Sequence, residues 1–166
     1  NSSSFRIRSS QYSTEQDWYH DALVVFEWDA KEGASYSYSF SGDVRDVPDD
    51  IPETAEGSAK FTVGDDGIYY FRLRECIGDS CGPSFIRRIM KDATAPEAFE
   101  IHVGRARDAF DRNTFLSFFT TDETSGINHY EIAFVREGQE PAWLVASSPF
   151  VLQEEFAGGT IQVKAV

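Results

Sequence analysis

Hydrophobic and polar residues alternate with period two over several short stretches, the pattern of half-buried antiparallel strands. In the first half of the chain, three such stretches are ALVVFEWDA, ASYSYSF and GIYYFRLREC. Segments rich in Gly, Pro and Asp separate them, and helical spacing never persists beyond about two turns. The pattern therefore predicts an all-β protein with almost no helix. Its first core is expected to contain the inward-facing residues Val24, Phe26, Trp28, Tyr36, Tyr38, Tyr69, Phe71 and Leu73.

The second half of the chain repeats the plan of the first. The stretch TFLSFFTTDETSGINHYEIAFV gives a strand, a polar turn and a strand, and GGTIQVKAV echoes the late strand GIYYFRLREC. Between the halves, KDATAPEAF has the proline and small residues of a domain boundary. Two copies of one plan, without helices, predict two tandem β-sandwiches of residues 1–92 and 93–166.

Composition and charge narrow the classes of partner. The chain has 166 residues, of which 41% are hydrophobic and 14% aromatic, so packed cores are expected rather than disorder. Its formal net charge of −13 repels nucleic acid phosphates and anionic lipid. No apolar run approaches the roughly 20 residues that cross a bilayer. We therefore expect neither nucleic acid binding nor a membrane span in this segment.

The two cysteines, Cys76 and Cys81, lie five positions apart in RLRECIGDSC. A zinc site would need further Cys or His ligands close by, and a thioredoxin-like pair would have two intervening residues. A third interpretation places the cysteines opposite each other across the turn IGDS, within reach of a disulfide. Closing so short a loop stabilises by about 1–2 kcal/mol. We predict the disulfide, and with it an oxidising compartment, against the alternative of two free thiols.

No sequence motif indicates an enzyme or a cofactor. Nucleophile-elbow, zinc-protease and phosphate-loop patterns are all absent, so we expect a non-catalytic protein with no cofactor. Calcium ligands are conceivable in the acidic loops, but no loop has the spacing of an EF-hand. We expect a solvated acidic surface and no metal site. The carboxylates considered are Asp43, Asp46, Asp49, Asp50, Asp92, Asp108, Asp111 and Asp122.

Large aromatic residues outside the predicted core are candidates for contact with a ligand. Trp18 and Tyr19 lie in the polar segment QDWYHD, and Trp143 lies in the second half. Amphipathic rings often anchor interfaces. The alternative for Trp18 and Tyr19 is a structural cap over one end of the first sandwich, and we favour that interpretation.

The first half resembles a fibronectin type III domain, and the whole chain resembles a bacterial surface-protein tandem. Trp28 at the end of VVFEW matches the buried tryptophan of that family, and Tyr69 in GIYYFRLREC matches its tyrosine-corner residue. Glu75 departs from the family, which implies that its strand leaves the core one residue early. The junction DATAPEAFEI and the later segments TTDETSGINHYEI and SSPFVL are similar to a following bacterial Ig-like domain. The resemblance implies architecture and an extracellular habit, not a ligand.

Together these features predict a non-catalytic spacer or adhesion module at a bacterial cell surface or in a secreted protein, part of a longer polypeptide or assembly. Its partner would be a surface protein or a glycan. The alternative is a carbohydrate-binding accessory module of a secreted glycan-active enzyme. By comparison with a seven-stranded sandwich, GGTIQVKAV would be the next-to-last strand of the second domain, so a last strand is expected to be missing. A fragment, or a strand donated by another chain, would explain that.

Overall fold

The computed structural model describes residues 5–105, 113–153 and 158–166. Two compact units divide the chain, Asn1–Ala93 and Thr94–Val166, called unit 1 and unit 2 below. The described residues form strands, turns and loops without any helix, and hence none that could cross a membrane. The predicted all-β fold of sandwich type is confirmed.

Unit 1 contains a four-stranded sheet and a two-stranded sheet. The larger has the order β1-β6-β5-β3, with β1 parallel to β6 and the other pairs antiparallel. The smaller pairs β2 with β4, and Arg8 bridges to Glu27 at its edge. The strands are β1 (Trp18–Tyr19), β2 (Leu23–Glu27), β3 (Ser35–Ser41), β4 (Ser58–Thr62), β5 (Gly67–Ile77) and β6 (Ser80–Lys91).

Aromatic rings from both sheets fill the core of unit 1. Phe26 of β2 stacks on Phe71 of β5 with ring centroids 4.2 Å apart, and Trp28 packs against Tyr36 at 5.4 Å. These four side chains are at most 3% exposed. The remaining predicted core residues lie in or against the same cluster. Alternation places them inward because successive side chains of a strand point to opposite faces.

The hairpin between β5 and β6 carries the predicted disulfide, which the structure confirms between Cys76 and Cys81. The sequence predicted the turn at IGDS, but Ile77 and Ser80 still pair with each other. The turn therefore consists of Gly78 and Asp79 alone. Gly78 has φ of +57°, a conformation that glycine adopts without strain.

Glu75 stays within β5, which continues to Ile77. A β-bulge lies at this position: Arg74 pairs with Ser84 and Cys76 with Cys81, so two residues of β6 face Glu75 alone. The Glu75 carboxylate accepts a hydrogen bond at 2.8 Å from Lys31 Nζ, whose side chain is half exposed.

Residues 42–57 form a long loop between β3 and β4, and part of this loop covers the outer face of the larger sheet. Arg74 donates to the Asp50 carboxylate at 2.6 Å, and Arg72 donates to the carbonyl of Val44. Pro48 is buried, and Ser37, on the outer face of β3, has no exposed surface. The serine face of β3 is therefore covered by the loop rather than open to solvent.

Unit 2 contains two three-stranded sheets, ordered β10-β9-β12 and β11-β8-β7, with antiparallel pairing throughout. Leu116, Phe118, Ile132 and Ala146 form the buried centre of its core. The strands are β7 (His102–Arg105), β8 (Thr114–Ser117), β9 (Tyr130–Val135), β10 (Trp143–Ala146), β11 (Phe150–Leu152) and β12 (Thr160–Ala165).

β12 is an edge strand among the residues that the structure describes, since β9 is the strand paired with it. In the other sheet, Val103 of β7 lies directly opposite Leu116 of β8. Opposed residues point to the same face, so Val103 is on the core face. It is nevertheless 69% exposed, whereas Leu116 is 1% exposed. The core of unit 2 is therefore open along β7.

Candidate functional site

Phe119 is 75% exposed, more than any other large hydrophobic residue in the described part of the chain. It follows the end of β8, where Leu116 and Phe118 point into the core. Continued alternation turns Phe119 away from that core. An aromatic ring left in water forgoes the stabilisation of burial, and Phe119 therefore offers apolar area to a ligand.

The backbone on both sides of Phe119 is held by side chains. The Phe118 amide donates to Ser148 Oγ at 3.0 Å, and the Thr120 amide donates to the Tyr130 hydroxyl at 3.0 Å. The Thr120 hydroxyl in turn donates to the carbonyl of Glu97. Thr120 is 6% exposed and Phe118 is 3% exposed. The segment 118–120, called the Phe119 ridge below, therefore presents its ring from a fixed backbone.

Two open grooves flank the Phe119 ridge and share Phe118, Phe119 and Ser148 as lining residues. The first groove has a volume of about 550 Å³ and the second about 590 Å³. Each falls in the range of about 300–1,000 Å³ that is typical of ligand sites. The first is also lined by Ala98, Phe99, Glu100, His102 and Ser117, and the second by Thr120, Ile127, Asn128, His129, Tyr130, Val145, Ala146 and Ser147.

Several polar side chains in these grooves have hydrogen-bonding capacity to spare. Their side chains make no hydrogen bond or ion pair with any residue that the structure describes. Such groups are available to hydrogen-bond to a ligand. These residues are Glu100, His102 and Ser117 in the first groove, and Asn128 and Ser147 in the second.

A charged network borders the second groove on the outer face of β9. The Glu131 carboxylate is 2.6 Å from Lys164 Nζ and 3.4 Å from His129 Nε2. The hydrogen bond from Lys164, followed by that from His129, lowers the pKa of Glu131. Lys164 Nζ also lies 4.5 Å from the centre of the Trp143 ring, a cation–π distance. Of these residues, His129 lines the groove, and its contact with Glu131 helps to hold it there.

The three aromatic residues predicted as contacts are all partly exposed. Tyr19 packs against Tyr12 at 5.2 Å between ring centroids and hydrogen-bonds through its hydroxyl to Ser13 and Thr14. Trp18 is the other residue of the short strand β1, and it lies opposite Met90 of the neighbouring strand β6. Trp143 belongs to β10 of unit 2. Within unit 1, the fixed hydroxyl of Tyr19 indicates a structural part for this ring.

The acidic residues considered as calcium ligands are dispersed among local structural contacts. Asp43 accepts hydrogen bonds from Arg45, Asp50 pairs with Arg74, and Asp122 accepts the amides of Thr124 and Ser125. Within the described ranges, no group of three or more His, Cys, Asp or Glu side chains is arranged to hold a metal ion. Asp108 and Asp111 lie outside the described residues.

No protein-family model matches the chain, and no curated protein matches it in sequence. The resemblance to a fibronectin type III and Ig-like tandem therefore stays a prediction, and the functional argument depends on the site itself.

Sequence reasoning did not single out Phe119. In TFLSFFTTDET it follows another phenylalanine within a stretch that predicts a strand and then a polar turn. One signal was available: with period two, two adjacent large rings cannot both face the core.

Proposed function

We propose that the chain is a non-catalytic extracellular spacer and adhesion module of a bacterial surface or secreted protein, and that it adheres through the Phe119 ridge. The observation that carries the proposal is a ring 75% exposed on a backbone anchored by Ser148 and Tyr130. Aromatic anchors supply most of the binding energy at many interfaces. A fixed anchor loses little conformational entropy on binding, which favours affinity.

The extracellular setting is supported by the disulfide between Cys76 and Cys81, since disulfides persist in oxidising compartments. Two features of unit 1 agree with the resemblance to surface domains. Trp28 is buried after β2, and the Tyr69 hydroxyl donates to the carbonyl of Asp65, four residues upstream, at 3.0 Å. A hydroxyl bonded to backbone just upstream is the geometry of a tyrosine corner.

Adhesion can be measured with beads that carry the chain, applied to surfaces coated with cellulose, chitin, xylan, collagen or fibrinogen. We expect retention on at least one coating, and loss of that retention in Phe119→Ser. The matched control is Val151→Ser, which changes a residue 53% exposed in the same unit that lines neither groove. Val151→Ser should adhere like the unchanged chain.

Two outcomes would overturn the proposal. One is adhesion that Phe119→Ser leaves intact, which would place the contact elsewhere. The other is failure to adhere to every coating while thermal melts show both variants folded.

A further inference from the structure

We infer that the ligand of the Phe119 ridge is a neutral polysaccharide whose chain crosses the Phe119 ring and enters both grooves. The inference rests on the proposed adhesive function and specifies the chemical class of its partner. Phe119 is not one of the aromatic residues that the sequence suggested as contacts, and none of those residues lines either groove.

The chemistry of the site matches that of a sugar unit, which has apolar C–H faces and a rim of hydroxyl groups. The C–H face packs on an aromatic ring, and each hydroxyl needs a donor or an acceptor. Phe119 offers the ring at 75% exposure. Glu100 and His102 line one groove and Asn128 the other, and the side chains of all three make no hydrogen bond with any residue that the structure describes.

The extent of the site favours a polymer over a single sugar. The two grooves, of about 550 and 590 Å³, are contiguous at Phe118, Phe119 and Ser148. A monosaccharide stacked on Phe119 would leave most of both grooves in water. A linear chain would stack one unit on the ring and place the adjacent units beside the polar side chains of each groove.

The same polar lining disfavours a protein partner. The centre of a protein interface is depleted of charged residues, because a charge buried without a partner is costly. Glu100 and His102 lie in the first groove beside the ring, where an apolar protein anchor would bury them. Sugar hydroxyls would hydrogen-bond to both of these side chains instead.

The negative net charge of the chain favours a neutral polysaccharide over an acidic one. At −13 the chain repels polyanions, whereas a neutral polymer meets no such barrier. Lys164, which pairs with the groove residue His129 only through their shared partner Glu131, lies 2.6 Å from that carboxylate.

Affinity electrophoresis in native gels tests the inference with soluble probes: xyloglucan, hydroxyethylcellulose, laminarin and arabinoxylan as neutral polymers, and polygalacturonate as an acidic one. We expect at least one neutral polymer to retard the chain. Phe119→Ala should raise the dissociation constant about tenfold or more, as loss of a hot-spot ring does. Phe119→Trp should retain binding, Asn128→Ala should weaken it, and Val151→Ala should leave it unchanged.

The outcomes separate this inference from the adhesive function. Retention on collagen or fibrinogen that depends on Phe119, without retardation by any neutral polymer, would overturn the polysaccharide and leave adhesion standing. Retardation that Phe119→Ala does not reduce would overturn both. Stronger retardation by polygalacturonate than by the neutral polymers would contradict the charge argument and with it the inference. Thermal melts of each variant verify that the fold is kept.

Discussion

At the scale of single residues, the aromatic rings of this protein have two opposite environments. Phe26, Trp28 and Phe71 are buried between the two sheets of unit 1, where they contribute apolar area and ring contacts. Phe119 is held in water by a backbone that its neighbours fix in place. Substitution should therefore affect folding at the buried rings and binding at Phe119.

Trp28→Ala should lower the free energy of unfolding by about 3–5 kcal/mol, the cost of removing a fully buried large aromatic side chain. Trp28 is 3% exposed and contacts the rings of Tyr36 and Phe71. Urea denaturation followed by circular dichroism measures the change. The matched control is Val47→Ala, at a residue 58% exposed, which should change stability by no more than about 0.5 kcal/mol. Equal effects of the two substitutions would show that Trp28 is not part of the core.

Tyr12 should make stability fall at alkaline pH. It is fully buried and donates its hydroxyl hydrogen to the carbonyl of Asp21. Burial, more than the nearby charge of Asp21, raises the pKa of Tyr12 from 10.0 to about 12. The folded state therefore binds this proton more tightly than the unfolded state, so its contribution is complete below pH 10 and is lost as pH rises toward 12.

Between pH 9 and 11.5, this residue alone should account for a loss of about 2 kcal/mol. Tyr12→Phe has no hydroxyl to titrate, so its unfolding free energy should decline less over the same range, although it starts lower because a hydrogen bond is missing. Urea denaturation at both pH values measures the difference. Parallel declines in the two proteins would mean that Tyr12 titrates normally.

Single positions also show how far the sequence could be interpreted. Alternation placed Val24, Phe26 and Trp28 inward because every second residue in a strand shares a face. It could not identify Phe119 as the exposed member of the pair Phe118–Phe119 unless the facing strand was known. Pairing with the rest of the sheet settles that choice.

At the scale of elements, the end of β6 is joined to the turn before β5 by a buried ion pair. Lys91 Nζ lies 2.7 Å from an Asp66 carboxylate oxygen, with the lysine side chain 4% exposed and the aspartate side chain 15% exposed. The same carboxylate oxygen accepts the amide of Ala93 at 2.9 Å. The carboxylate thus links the last residues of unit 1 to the start of its longest hairpin.

Asp66→Ala should lower the free energy of unfolding by about 3–5 kcal/mol, because Lys91 would remain buried without its counter-charge. Asp43→Ala is the control, since Asp43 pairs with Arg45 at the surface and both side chains are more than half exposed. That substitution should cost less than about 1 kcal/mol. Thermal melts of both variants measure the effects, and a larger loss in Asp43→Ala would contradict the structural account.

Elements with local signals were predictable, and those that depend on distant contacts were not. The hairpin of β5 and β6 follows from two alternating runs around a Gly-Asp turn, and its disulfide follows from the cysteine spacing. The path of the loop 42–57 over the outer face, by contrast, depends on Arg72 and Arg74, which lie far along the chain. The bulge opposite Glu75 likewise depends on Gly82 and Pro83 of the partner strand.

At the scale of the whole molecule, the proposed spacer and adhesion functions correspond to different units of the chain. Unit 1 combines an aromatic core, a disulfide and a buried ion pair, which are the features of a stable spacer. Unit 2 has a smaller buried centre and carries the exposed ring and both grooves. The adhesion that we propose therefore belongs to unit 2.

Hydrogen exchange, read by mass spectrometry on beads whose coating retains the chain, tests that assignment most directly. Amide exchange in the adhered chain is compared with exchange in the free chain at the same pH and temperature. A contact at the Phe119 ridge should slow exchange in peptides that cover residues 98–102, 117–120, 127–130 and 145–148, and leave unit 1 unchanged. Slowed exchange confined to unit 1, or exchange unchanged throughout the adhered chain, would contradict the account.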